Sequence, residues 1–208
     1  MRRGIAESAM IEVLMPSPIG HALAGLAVAW TSGLVTPPDS RRGNLGGADG
    51  WPGRRLVLTT MALAAAPDLD LLLPGAHRTA THSLAAAVAV TIIAAAVTGQ
   101  VTRWRTAVLC GISYASHLLL DWLAADNYPP RGIELLWPFS DRWFISGLDL
   151  FIQTERRRFL TFDSIRTNLT AMAWEALVLS PLLLALWLVR VKALARFAPE
   201  LTRRDHSA

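Results

Sequence analysis

The chain has 208 residues, of which 52% are hydrophobic and only 17% charged. Soluble domains carry about 25% charge, so this composition argues against an ordinary cytosolic enzyme. It also excludes a disordered chain, which needs low hydrophobicity and high net charge. The net charge is a mild +4, with Lys192 the only lysine. In so apolar a chain this excess points to arginines beside anionic lipid headgroups, and no nucleic-acid partner is expected. The single Cys110 excludes an intramolecular disulfide and a thiolate metal cage.

A membrane-spanning helix needs about 20 mostly apolar residues. Residues 1–16 read as a loose tail in which Met15, directly before Pro16-Ser17-Pro18, is an alternative start. The predicted spans are residues 19–35, 56–73, 83–97, 106–125 and 173–191. The first is too long, and too poor in small residues after it, for a cleaved signal peptide. The second is interrupted by Pro67 and two aspartates, and with the short third it leaves a re-entrant hairpin as an alternative. Residues 126–172 are too mixed to span and read as a long interfacial loop. Within it, Arg156-Arg157-Arg158 among Phe151, Ile152, Phe159, Leu160 and Phe162 suggests a helix lying on headgroups. Residues 193–208 read as a basic tail. The expected architecture is thus an all-α, polytopic helical bundle forming one integral-membrane domain over residues 17–192. Trp30, Trp104, Trp122, Trp174 and Trp187 fall near span ends, as interfacial anchors do.

With five spans the connections alternate sides. Short loops and tails then carry eleven basic residues on one side, from Arg41 to Arg204, against three on the other. The side with eleven is expected to be cytoplasmic. The six arginines of the long loop narrow this to eleven against nine.

The informative residues are polar groups at span edges. His21 opens the first span. Asp68 and Asp70, in Pro67-Asp-Leu-Asp, close the second. His77 and His82 precede the third, and His117 and Asp121 close the fourth. On the alternating topology all four stretches face one side, expected to be extracytoplasmic. Every delivered group is an imidazole or a carboxylate, the ligand set of Zn²⁺, Mn²⁺ or Fe. His117 and Asp121 are four apart and share a helix face. Asp68 and Asp70 are two apart and would diverge on a regular helix, so an unwound end is expected there. Each Asp deep in a span costs roughly 2.5–3.5 kcal/mol on insertion scales, and a divalent cation would offset it. Plainer readings stand beside this one: an interfacial His21, a His-Asp packing pair, a solvated Pro-Asp-Leu-Asp turn, and Thr81 or Ser83 as a helix cap. Asp141 and Arg142 either pair or flank a substrate, and Asp126-Asn127 either line the pocket or solvate its rim. No Walker loop, dinucleotide fingerprint, Gly-x-Ser-x-Gly elbow or His-Glu-x-x-His helix is present.

Taken in order, Ser17-Pro-Ile-Gly-His21, Pro67-Asp68-Leu-Asp70, His77-Arg78-x-x-Thr81-His82-Ser83, Ser116-His117-Leu-Leu-Leu-Asp121 and Leu136-Trp-Pro-Phe-Ser-Asp-Arg142 resemble the bacterial membrane-bound metal-dependent hydrolases of the YdjM type, also described as LexA-binding, inner-membrane-associated hydrolases. The resemblance covers residues 17 to 145. The family usually has Gly after His-Arg, where this chain has Thr79. The resemblance implies an inner-membrane protein with a metal site and hydrolase activity, and supplies no substrate.

The expected chemistry is metal-assisted hydrolysis of a phosphoester or lipid-linked ester at the membrane surface. One or two divalent ions, zinc first and manganese or iron as alternatives, would be held by His21, Asp68, Asp70, His77, His82, His117 and Asp121. Seven groups exceed one four-coordinate zinc with an open position, so two ions or an outer layer of ligands is expected. Asp70 or Asp121 would take a proton, and Arg78 would clamp an anionic oxygen. The alternatives are a non-catalytic interaction or regulatory protein stapled by metal, and, third, a divalent-ion transporter. The expected partners are membrane lipids, with a lipid-like or phosphorylated substrate.

Overall fold

The computed structural model describes residues 16–32, 52–72, 77–98, 103–127, 129–155 and 160–205, with side chains described as far as Lys192. The N-terminal tail to Met15, most of the glycine-rich connection before Trp51, Pro74-Gly75, the Arg156–Arg158 triplet and His206 lie outside the described residues. The described residues form five helices: α1 (Pro18–Thr31), α2 (Arg54–Ala65), α3 (Leu84–Val97), α4 (Arg103–Leu123) and α5 (Phe162–Asp205). Two 3-10 turns, Ala66–Leu72 and Ala80–His82, follow α2 and precede α3. The all-α expectation holds.

Two helical stretches, Arg103–Leu123 and Phe162–Lys192, are long and apolar enough to cross a membrane, while Leu84–Val97 is apolar but shorter. The helical part of the first expected span ends at Thr31. The second ends as α-helix at Ala65, where Pro67, unable to donate an N–H, tightens the chain into a 3-10 turn. In turn, α5 begins at Phe162, eleven residues before the expected edge at Ala173. Thr161 caps it, its Oγ accepting from Ser164 N at 3.3 Å, and Asp163 complements the first turn. That extension is too polar for hydropathy to register.

Helix α1 packs against α2, α4 and α5, while α3 packs against α4. The contacts use small residues. A Cβ on Gly25 would lie 2.5 Å from the Thr60 carbonyl oxygen, so α1 and α2 meet backbone to backbone. A Cβ on Gly111 would collide with Thr91 Oγ, where α4 meets α3. Ala24, Ala27, Ala29, Ala64, Ala87, Ala95 and Ala107 are all buried, while Leu72, Ile92, Val97 and Leu177 are more than half exposed. Large apolar residues outside and small ones inside is the pattern of helices packed within lipid.

The segment between α4 and α5 folds back on the bundle. Leu150 N donates to Leu123 O at 2.8 Å and Ala125 N to Phe151 O at 2.9 Å. Leu84 N donates to Leu135 O at 2.9 Å, and Ile133 pairs with Phe144 in an isolated antiparallel bridge. Two of its side chains anchor it. Phe151 packs on Ala24, Leu120, Ala124 and Leu179, and Ile133 on Ala87, Tyr114 and Leu118. The start of α1, both 3-10 turns and the end of α4 are thereby gathered beneath one lid.

Candidate metal centre

Ser17 caps α1, its Oγ accepting from Gly20 N at 3.3 Å, and Pro18 takes the first helical position, where a missing N–H costs nothing. His21 is therefore held in the first turn, fully buried. His117 and Asp121 sit one turn apart on α4, and Nε2 of the first lies 3.2 Å from Oδ2 of the second. In the 3-10 turn Asp68 and Asp70 point in different directions, as two residues apart on a tight helix must. Asp68 faces the three buried imidazoles: Oδ1 is 3.7 Å from His117 Nε2 and 3.9 Å from His82 Nε2, and Oδ2 is 4.0 Å from His21 Nε2. Asp121 faces them from the other side, 3.4 Å from Nε2 of both His21 and His82. The His21 and His117 rings stack with centroids 3.7 Å apart.

Asp70 turns toward the loop before α3. Its Oδ1 lies 2.7 Å from His77 Nδ1 and its Oδ2 3.1 Å from His82 Nδ1. It also accepts from Arg78 N at 3.3 Å and from the Thr81 hydroxyl. Ser83 caps α3, accepting from Ala86 N at 3.1 Å, so of the two expected caps it is Ser83 that serves.

These contacts fix where the imidazole protons are. A carbonyl only accepts, so His117 Nδ1, 2.8 Å from Ala64 O, carries hydrogen. His82 Nδ1, facing the Asp70 carboxylate, does so too. The Nε2 atoms of the two rings both face the centre and lie 3.1 Å apart. Burial pushes the His82 imidazole down to about 4, which keeps it neutral, as a metal ligand must be. Both Asp68 oxygens and Asp121 Oδ1 are buried with no hydrogen-bond partner among the described residues, and so is His77 Nε2. In a low-dielectric interior, carboxyl groups left without a hydrogen-bond partner carry a cost. A cation removes it. Two groupings bring donor atoms close enough to share one: His21, His117 and Asp121, and Asp68, His77 and His82. The donor set of four imidazoles and two carboxylates, with ring N–H groups held by outer acceptors, fits a divalent ion such as zinc.

All seven expected ligands are thus brought together, with Asp70 outside both groupings. Arg78 is buried beside them in a left-handed conformation, φ 66°. Its Nη1 donates to Asp126 Oδ2 at 2.6 Å, and its guanidinium lies 5.9 Å from the Trp143 ring centroid. Asp126 also accepts from Gly132 N at 2.7 Å, so it ties Arg78 to the lid. Asp141 and Arg142 are exposed and do not reach the centre. Glu175 of α5 went unremarked in the sequence. It is fully buried and bonds to Ser17. A lone carboxylate within an apolar run was the signal that could have found it.

Helices that bury small residues and expose large ones, enclosing histidines and carboxylates that could hold a cation, define a helical membrane protein with a candidate metal centre. A family model described as "YdjM inner membrane protein" matches residues 15–195, and the chain belongs to that family. No curated protein and no solved structure matches the chain.

Proposed function

We propose that the protein is a multi-pass inner-membrane hydrolase that uses one or two divalent ions, zinc first, on a phosphoester or lipid-linked ester at the extracytoplasmic surface of that membrane. The observation that carries this reading is the Asp68 carboxylate, buried without a hydrogen-bond partner among the described residues and facing three imidazole Nε2 atoms. His21, His117 and Asp121 would hold one ion, and Asp68, His77 and His82 a second. When bound, such an ion supplies Lewis acidity and lowers the pKa of a coordinated water to near 7. Asp70 holds His77 and His82 in the tautomers that aim Nε2 inward, and the Ala64 carbonyl does the same for His117. Asp121, with Oδ1 unpartnered among the described residues, is the better placed of the two expected bases to take a proton. Arg78 has one donor committed to Asp126, which favours a role in holding the lid over one in gripping substrate. Five alternating crossings, with the centre on the extracytoplasmic side, agree with the positive-inside count.

The test is elemental analysis of the detergent-purified full chain. Wild type is expected to carry stoichiometric metal that His82→Ala and Asp121→Ala lose while still inserting. A panel of lipid phosphoesters then reads turnover. Metal-free wild type, or full activity in both variants, overturns the reading.

A second reading has its own support. The His21, His82 and His117 side chains have no exposed surface, as a metal that merely staples span ends together would require. On that reading chelation lowers thermal stability and no ester is turned over. A transport role is less well supported, because the mid-span polar groups are consumed internally: Thr91 Oγ donates to Ala87 O and Tyr114 Oη to Thr81 O.

A further inference from the structure

Beyond Ser164 in its first turn, helix α5 buries four of the residues whose side chains are described, Ala171, Glu175, Leu179 and Arg190. Two of those four residues are charged, where a membrane helix would ordinarily place apolar ones. Both act on α1. Glu175 Oε1 accepts from Ser17 N at 2.6 Å, and Oε2 accepts from the Ser17 hydroxyl. At the other end, Arg190 Nη1 donates to Trp30 O at 2.8 Å. Fifteen residues of α5 span about 22 Å, the length of α1, so the two helices run parallel and α5 grips α1 at both termini. Helix α1 has no acidic residue in its first turn and no basic residue in its last. Its dipole is instead complemented by a neighbouring helix, an anion at the N-terminus and a cation at the C-terminus.

The geometry points to Glu175 as a positioning residue for His21, acting through Ser17 and the first turn of α1. The inference rests on the metal-centre reading. Ser17 carries the link in both directions: its hydroxyl donates to Glu175 and accepts from Gly20 N, and its carbonyl accepts from His21 N at 3.2 Å. The contact is close: a Cβ on Gly20 would lie 2.6 Å from Glu175 Oε2, so the carboxylate would have to shift to admit it. A shift of this carboxylate therefore moves the turn from which the His21 ring reaches Asp121 and stacks on His117.

The experiment is a Co²⁺ titration of the purified full chain in detergent, read by visible absorption, on wild type, Glu175→Gln, Gly20→Ala, His21→Ala and the Glu175→Gln/His21→Ala double variant. Gly20→Ala keeps the carboxylate but displaces it, and so guards against misfolding of Glu175→Gln. Both are expected to weaken Co²⁺ binding about ten-fold or more, the usual effect of outer ligands, and to alter the absorption bands. In the His21→Ala background Glu175→Gln is expected to have no further effect, because the two act on one ligand. A merely structural role would weaken binding equally in both backgrounds, and that result overturns the inference, as do unchanged affinity and bands in Glu175→Gln. Either outcome leaves the metal centre standing. Wild type that binds no Co²⁺ overturns both.

Discussion

Two carboxylates two residues apart end up in opposite circumstances. Asp70 faces four donors, whereas Asp68 faces imidazole nitrogens and has no hydrogen-bond partner among the described residues. Replacing Asp68 by Asn removes a buried acid with no hydrogen-bond partner among the described residues and turns an amide donor toward the imidazoles. Metal-free Asp68→Asn should therefore melt above metal-free wild type, by the equivalent of about 1–4 kcal/mol, while binding metal more weakly. Asp70→Asn should do the reverse to the apo protein, because His77, Arg78 N, Thr81 and His82 lose their shared acceptor. Its metal affinity should fall about 10–100-fold. Thermal melts with and without chelator, beside metal titrations, check both. The roles of these residues were only half legible in the sequence. Residue type and span-edge position marked all seven residues that the fold gathers, but which carboxylate faces inward depends on the 3-10 turn after Ala65, and spacing alone left that open.

The lid and the α1–α2 seam hold the centre together at the level of elements. Phe151, 2% exposed, pins the lid to α1, α4 and α5. Truncation of such a side chain costs about 3–5 kcal/mol, so Phe151→Ala should raise protease cleavage within residues 129–155, while the helices resist. Gly25→Leu would drive side-chain atoms into the Thr60 carbonyl and Met61 Cα, which are backbone and cannot turn aside. Separation of α1 from α2 should lower thermal stability in detergent and carry His21 away from Asp68, with metal lost in parallel. The α4 helix could be read from hydropathy to within three residues at its start and two at its end. The first turns of α5 could not, since Asp163, Arg166 and Asn168 conceal a helix held by its cap and by a pair of hydrogen bonds between Asn168 and Glu155. The grip of α5 on α1 was equally hidden, because it joins residues 158 positions apart.

For the whole molecule, the parallel course of α1 and α5 is what the proposed topology of five alternating spans would give. Cys110 is buried and is the only cysteine in the chain, which leaves a quiet background for labelling. Phe139 in the lid is 91% exposed. In intact cells Phe139→Cys should react with a membrane-impermeant maleimide, and Lys192→Cys only after permeabilisation; the opposite pattern would invert the orientation. The interior of Gly, Ala and Ser also means that the identity of this fold does not reside in its outer coat. Leu72, Ile92, Val97 and Leu177 are more than half exposed, so exchanging them for Glu and Lys leaves the interhelical seams and the candidate metal site untouched. A water-soluble counterpart of the same bundle, handled without detergent, is within reach of surface redesign alone.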